Sequence, residues 1–274
     1  MTAPFDSSKP NVARMYDYWL GGKDNFEADR RAAEAVRELR PNVAEQALDN
    51  KMFQTRAVIH VARQGVRQFL DVGSGLPTSP VKAAGDRPLW QATHEAAQSA
   101  IADPVVAYVD NDPVAVLHSQ TLLAGGRQAV IATIGDMRDP AAILADADVR
   151  RAGFDLAAPA CVILACVLHF VDAQTAQAIV ASFARALAPG SYMIVSVGYA
   201  KGQDGADFAR TYNTQNGQRI YAHTWEQITA LFDGLELVPP GIVDAAIWRP
   251  QWREKARAGR SNMIAAAVAR RNSS

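Results

Sequence analysis

The apolar pair Phe69-Leu70 runs into Asp71-Val72-Gly73-Ser74-Gly75, which places two glycines and a carboxylate where a buried strand ends. Glycine has no Cβ, so the main chain can turn sharply there and a ligand can lie directly against it. A nucleotide-like cofactor in such a turn calls for a second feature, an acidic residue at the end of the next strand to accept from ribose hydroxyls. Val105-Val106-Ala107-Tyr108-Val109 supplies it by running into Asp110. Together the two features constrain the chain to an open parallel sheet with its ligand at the carboxyl edge.

Two cofactors use such a sheet. A dinucleotide site needs Gly-x-Gly-x-x-Gly opening straight into a helix whose N-terminus receives the pyrophosphate. Here Thr78, after Leu76-Pro77, stands where the third glycine would be. S-adenosylmethionine carries no phosphate and needs close backbone approach, a ribose carboxylate and polar groups near its ammonium and sulfonium. The sequence fits S-adenosylmethionine better. A Gly-x-Gly turn alone is a weak signal that a plain structural turn serves as well. The acidic end of the following strand decides the balance.

The order of elements supports this sheet. Helical spacing covers Val12 to Leu20, stopping at Gly21-Gly22, then about Asn25 to Leu39 and Val43 to Arg63. From Val66 onward short apolar strands alternate with helices, the pattern of a parallel, helix-covered sheet. Strands are expected at Gln68–Val72, Val105–Asp110, Ala129–Ile134, Ala160–Leu168 and Tyr192–Val197, with two closing strands near Leu235–Val238 and Met263–Val268. Helices are expected near Thr93–Ile101, Pro113–Leu123, Pro140–Ala147, Ala173–Leu187 and from Thr224 to Phe232. Residues 1–65 thus read as a helical N-terminal cap and 66–274 as a Rossmann-like core, forming one structural unit. The stretch Ser79 to Gln91, with an exposed-looking Trp90, is long for a strand-to-helix connection.

Composition narrows the partner. Twenty-eight basic residues balance twenty-eight acidic ones, which removes the electrostatic argument for nucleic acid or an anionic membrane. No apolar run reaches the roughly 18 residues of a membrane span, and Met1 to Pro10 lacks a signal peptide's apolar centre, so the expected compartment is the cytoplasm. Cys161 and Cys166 share one expected strand, out of disulfide reach, and read as small buried hydrophobes. The five histidines show no zinc-like spacing, and no metal is expected. The oligomeric state is left open.

Several residues can carry chemistry. Gly135-Asp136-Met137 ends the third strand, where Asp136 could accept from an adenine amino group and Met137 pack on the ring. Asp71, Asp110 and Asp136 then occupy the carboxyl ends of consecutive strands, the edge at which open sheets bind ligands. The plainer reading of Asp112 and Asp136 is that they cap the following helices. His169, after the fourth strand, is the general-base candidate, because imidazole titrates near neutrality. Against that stands a histidine merely hydrogen-bonded to nearby backbone. Arg14, Tyr16, Tyr18, Trp19, Lys23, Asp24 and Asn25 surround the double glycine and form either a lid over the acceptor or a piece of core. Trp248-Arg249-Pro250 is a weaker candidate for the same cleft.

At this point a family comes into view. Asn11-Val12-Ala13-Arg14-Met15-Tyr16-Asp17-Tyr18-Trp19-Leu20-Gly21-Gly22-Lys23-Asp24-Asn25-Phe26, with Asp29-Arg30, resembles the opening motif of an actinobacterial group of S-adenosylmethionine-dependent methyltransferases formerly catalogued as a domain of unknown function. The likeness continues in order through the glycine turn, Thr93-His94-Glu95, Tyr108 to Pro113, Gly135 to Arg138, Val167 to Phe170, Phe232 to Leu237 and Trp248-Arg249-Pro250. The stretch Ser79 to Gln91 departs from it. The resemblance implies a class I methyltransferase fold: an α/β, seven-stranded, mostly parallel sheet with helices on both faces, a last antiparallel strand and a helical cap. It further implies that Asp71, Gly73, Gly75, Asp110, Asn111, Asp136 and Met137 line S-adenosyl-L-methionine, and Ser74 of the same turn is expected there with them.

The expected function is methyl transfer to a small molecule, an oxygen or nitrogen nucleophile of secondary metabolism, with His169 as base and the cap enclosing the acceptor. The rival is a regulator that binds S-adenosylmethionine or a nucleoside without turnover, favoured if the cap fills the acceptor space. A nicotinamide oxidoreductase comes third, weakened by Thr78.

Overall fold

In the computed structural model, which describes residues 6–80, 88–126, 129–199, 202–215, 219–249 and 263–272, three helices precede the first strand: α1 (Val12–Trp19), α2 (Glu27–Leu39) and α3 (Val43–Arg63). Asn11 starts α1 by accepting from the amides of Ala13 and Arg14, at 2.8 and 3.3 Å. The chain leaves α1 through Gly21, whose φ of +79° suits a residue without a Cβ. Asp29, in the first turn of α2, accepts from the Phe26 amide at 2.8 Å and so covers a donor that the helix leaves unpaired. Met15 of α1 packs against Ala33 and Val36 of α2.

Among the described residues the sheet has eight strands: β1 (Gln68–Val72), β2 (Val105–Asp110), β3 (Val130–Ile134), β4 (Cys161–Ala165), β5 (Tyr192–Gly198), β6 (Glu236–Leu237), β7 (Val243–Asp244) and β8 (Ile264–Arg270). Their order is β3-β2-β1-β4-β5-β8-β6, and β7 also pairs with β8. The first five are parallel to one another, and β8 runs antiparallel to β5. The count is eight rather than the expected seven because the edge beside β8 is made in two pieces. Pro239-Pro240-Gly241 separates β6 from β7, and proline brings no N–H to a ladder.

Helices α4 (Thr93–Gln98), α5 (Pro113–Leu123), α6 (Pro140–Ala145), α7 (Ala147–Arg151), α8 (Ala173–Ala186), α9 (Gly202–Gln215) and α10 (Trp225–Ala230) complete the fold. Side chains alternate across each strand, so every strand feeds two cores. Leu70, Val72, Val162 and Leu164 face Ala176, Ile179, Val180 and Phe183 of α8. Phe69, Cys161, Ile163 and Ile194 face Phe53, Ala57, Val58 and Val61 of α3, with Trp248 in the same cluster. Burying a side chain of this kind contributes about 1.5–3 kcal/mol. The third helix is therefore a wall of the sheet, and α1 and α2 pack outside it.

Three local expectations differ from the structure. Strand β4 stops at Ala165, short of the expected Leu168, because Cys166 takes a φ of +56° and a short 3-10 turn occupies Leu168–Phe170. Helix α9 was not expected. Trp90 is 3% exposed, packed with Leu20, Ala47 and Met52, and not a surface residue. Residues 81–87 of the long connection, and Pro250, lie outside the described residues. Among the described residues no helix is long and apolar enough to cross a membrane.

Candidate active site

The turn after β1 is built by its glycines. Gly73 and Gly75 have φ of +71° and +68°, and a Cβ at Gly73 would occupy the place of the Val167 side chain. Amides of Gly73 and Ser74 both donate to the Val109 carbonyl, at 2.7 and 3.1 Å, fastening the turn to the end of β2. Asp110 completes the fastening, since its carboxylate accepts from the amides of Gly75 and Asp112 at 2.8 and 2.9 Å. Burial raises the Asp110 pKa above the usual carboxylate value, opposed by those two bonds.

Around this turn lies a cavity of about 330 Å³ at the carboxyl ends of the parallel strands. Seven of the eight residues expected at a cofactor line it: Gly73, Ser74, Gly75, Asp110, Asn111, Asp136 and Met137. The eighth, Asp71, does not. As every second residue of β1 faces α3, its carboxylate points there, accepting from Thr93 Oγ1 at 2.6 Å and Gln54 Nε2 at 2.8 Å. Asp136 reaches the cavity with its carboxylate gripped by the Arg138 guanidinium and amide, which lowers its pKa. Asp112 caps α5, accepting from Val114 at 2.8 Å, whereas the cap of α6 is Asp139 rather than Asp136.

The opposite wall comes from the cap, and here the structure adds residues that spacing did not single out. Asn11, Asp17, Asn50 and Lys51 line the cavity, beside Thr78 of the glycine-turn segment. Asp17 is fully buried and accepts from Thr78 Oγ1 at 2.6 Å, from the Asp24 amide at 3.0 Å and from Asn25 Nδ2 at 2.9 Å. Asn11 donates to Asp112 at 2.8 Å. Thus α1 is tied to the glycine turn at one end and to the end of β2 at the other. Burial lowers the Lys51 pKa, and the nearby Asp71 carboxylate works against that shift. For Asn11 and Asp17 the signal lay in the N-terminal motif and for Thr78 in the segment after the glycine turn, whereas nothing in the sequence marked Asn50 or Lys51.

Of the expected lid residues, two take part. Tyr16 lines the cleft and Trp19 an adjoining chamber. Arg14 instead forms a buried ion pair with Asp29 at 2.7 Å, Tyr18 donates to Glu34 at 2.8 Å, and Lys23 is exposed. None of these three lines either space: Arg14 and Tyr18 sit on the face of α1 that meets α2, and Lys23 follows α1 on the surface. Trp248 is buried beneath α3, in edge contact with Phe53 at 5.5 Å, and serves the core.

The adjoining chamber, about 150 Å³, shares Val12, Tyr16, Cys166, Phe170 and Tyr221 with the cleft. His169 lines it, with Nδ1 buried and without a hydrogen-bond partner among the described residues. Burial, with a smaller contribution from His223, pulls the His169 pKa down to about 4. Cys166 is half-buried, less enclosed than the small buried hydrophobe expected, and burial pushes its thiol up to about 11. It is a neutral wall between the two spaces at physiological pH.

A glycine turn fastened to a strand-end acid, on a parallel sheet closed by an antiparallel strand and covered by a helical cap, defines a class I methyltransferase fold. The profile described as S-adenosyl methyltransferase matches residues 1–272, and the chain belongs to that family. Its structure is similar to that of a candidate methyltransferase from Thermobifida fusca YX, at 36% identity and a TM-score of 0.85, covering 98% of this chain and 97% of that one. It is equally similar to a DUF574 family protein from Streptomyces avermitilis, at 36% identity and a TM-score of 0.85, covering 97% of this chain and 99% of that one. Among curated proteins no relative matches. The protein is an S-adenosylmethionine-dependent methyltransferase.

The donor set of the cleft fits that cofactor. It is elongated in chemistry, with three acids, Asp110, Asp112 and Asp136, and Met137 on the side of β2 and β3, and Lys51 with the buried Asp17 carboxylate on the side of the cap. A volume of about 330 Å³ falls within the range of small-molecule sites.

Proposed function

We propose that the enzyme methylates an oxygen or nitrogen nucleophile of a small molecule of secondary metabolism. The observation that supports this reading is that cleft and chamber share Val12, Tyr16, Cys166, Phe170 and Tyr221, so an acceptor held beside His169 would lie next to a donor held on the glycine turn. When bound, the cofactor supplies an electrophilic methyl on a sulfonium. Asp110 would receive the ribose hydroxyls, Met137 would pack on the base, and Lys51 would meet the cofactor's carboxylate. Aligning donor and acceptor where the two spaces adjoin would do most of the catalytic work in an in-line displacement. His169, neutral above about pH 4, is able to accept the acceptor's proton.

The open chamber also argues against the rival regulator, in which the cap would fill that space. Methyl-labelled cofactor added to the enzyme with a cell extract tests the reading. Label is expected in the small-molecule fraction, and label entering only protein or nucleic acid would sink it. Asp110→Ala should weaken S-adenosylhomocysteine binding by roughly 2–3 kcal/mol in calorimetry if two charge-assisted bonds are lost. Unchanged affinity in a folded variant would remove Asp110 from the site.

A further inference from the structure

We propose that Asp71 and Gln54, both outside the cleft, form a relay that holds Lys51 charged and aimed for the carboxylate of the cofactor. This goes beyond the methyl-transfer reading and rests on its assignment of Lys51 to that carboxylate.

Geometry comes first. Lys51 and Gln54 stand three residues apart on α3, on one face of the helix, and of the two only Lys51 lines the cleft. Lys51 Nζ donates to Gln54 Oε1 at 3.4 Å, and Gln54 Nε2 donates to the Asp71 carboxylate at 2.8 Å. Thr93 Oγ1 closes the far end, donating to the same carboxylate oxygen at 2.6 Å while accepting from Gln54 Nε2 at 3.2 Å. An ammonium only donates and a carboxylate only accepts, so the Gln54 amide serves both in one orientation alone. The Trp90 and Tyr16 rings flank the ammonium, with centroids 5.7 and 6.0 Å from Nζ, and their faces favour a cation.

Charge comes next. Burial favours the neutral amine of Lys51, which would have no pull on a carboxylate. Asp71 is buried as well, and its hydrogen-bond donors Gln54 and Thr93 are neutral. Among the described residues the titratable groups around Lys51 are Asp71 from β1, Cys166 after β4 and Tyr16 from α1. Burial raises the pKa of both Cys166 and Tyr16, so they are neutral at physiological pH. Asp17, on the cap side of the cleft, is committed to Thr78, Asp24 and Asn25. Asp71 is therefore the carboxylate that favours the ammonium, and Lys51 in turn stabilises the Asp71 carboxylate. Two charges that burial disfavours support each other across one amide.

The sign of the effect follows. Without the Asp71 charge Lys51 gives up its proton at a lower pH, and the grip on the cofactor's carboxylate goes with it. In mild acid Lys51 is protonated with or without Asp71, and affinity is retained.

Calorimetry of S-adenosylhomocysteine on the full chain, from about pH 6.5 to about pH 10, tests the relay. The ligand's own amino group titrates within that range, so Lys51→Met supplies the baseline. Asp71→Asn keeps the shape of the side chain. It should leave affinity within about threefold at about pH 6.5 and move the alkaline fall in affinity about one pH unit lower. 5′-Methylthioadenosine, which lacks the amino-acid end, should bind parent and variant within about twofold throughout. Added to Lys51→Met, Asp71→Asn should move nothing, which separates action through Lys51 from direct action on the cofactor's amino group. Gln54→Met cuts the relay without removing a charge and serves if Asp71→Asn misfolds. It should weaken S-adenosylhomocysteine about 2–10-fold, the worth of one hydrogen bond, and spare 5′-methylthioadenosine. The relay is overturned if Asp71→Asn leaves the alkaline fall in place, if the same shift persists in the Lys51→Met background, if Gln54→Met binds as the parent does, or if both ligands weaken alike. Equal S-adenosylhomocysteine affinity in the parent and Lys51→Met would sink the assignment of Lys51 itself, and the relay with it.

Discussion

At His169 the same burial that suits a proton acceptor destabilises the fold in acid. The unfolded chain's histidine takes up a proton near pH 6.5, whereas the folded ring refuses one until about pH 4. Between these values the unfolded state binds more protons, so stability is fully present above about pH 6.5 and drains away as pH falls toward 4, by up to about 3 kcal/mol. Denaturant unfolding across this window should show a slope that His169→Gln flattens, leaving the contributions of His60, His94 and His223, whose pKa values burial also lowers. An equal slope in both proteins would mean that the ring is solvated. At Lys51 the expected outcome is a loss of selectivity. Lys51→Met should weaken S-adenosylhomocysteine by about 1.5–3 kcal/mol and leave 5′-methylthioadenosine, which lacks the amino-acid end, unaffected. Calorimetry with both ligands checks this. Gly73, Gly75 and Asp110 were legible in the sequence because a turn and a strand end need those residue types. Asp71 misled because a strand end says where a residue lies along the sheet, and only the alternation against α3 says which way it faces.

Among elements, the tie between α1 and the glycine turn sets the shape of the cleft. Thr78 Oγ1 gives Asp17 one of its three hydrogen bonds, and that carboxylate is fully buried. Thr78→Val should therefore cost about 1–3 kcal/mol in thermal or denaturant unfolding, because a buried acceptor loses its donor. A variant as stable as the parent would mean that water replaces the hydroxyl. The same residue was read in the sequence as a broken dinucleotide fingerprint, and the structure gives it a positive duty. Strands and helices with strong apolar patterns were legible, as the first five strands show. The carboxyl end of β4 was placed three residues too far because Val167 and Leu168 continue its apolar run, and the left-handed turn at Cys166 leaves no mark in hydropathy. Helix α9 was missed because Gly202 and Gly205 in its first turns argue against helix, and its packing near α2 overrides that propensity. Strands β6 and β7 are two residues each, too short to carry a period.

For the whole molecule, the decisive arrangement is that α3 belongs to both the cap and the core. Its inner face contributes Phe53, Ala57, Val58 and Val61 to the cluster that covers β1, β4 and β5, while Asn50 and Lys51 line the cleft. Its Arg56 donates to the carbonyls of Trp248 and Ala245, at 2.9 and 2.7 Å, joining the helix to the distant segment before β8. We therefore expect one cooperative transition, with far-ultraviolet circular dichroism and tryptophan fluorescence unfolding together. Tryptophans report on both regions, since Trp19 lies in α1 and Trp248 under α3. A chain beginning at Val66 loses the whole of α3 and bares Phe69, Ile163 and Ile194. Each of those side chains stands to lose about 1.5–3 kcal/mol of burial, more together than a typical domain's margin can absorb. That truncated chain should be insoluble or show no near-ultraviolet signal, whereas a chain beginning at Pro41 keeps the sheet's wall and should fold without its acceptor enclosure. Folding of the shorter chain, or two separated transitions in the full one, would show that cap and core are independent units.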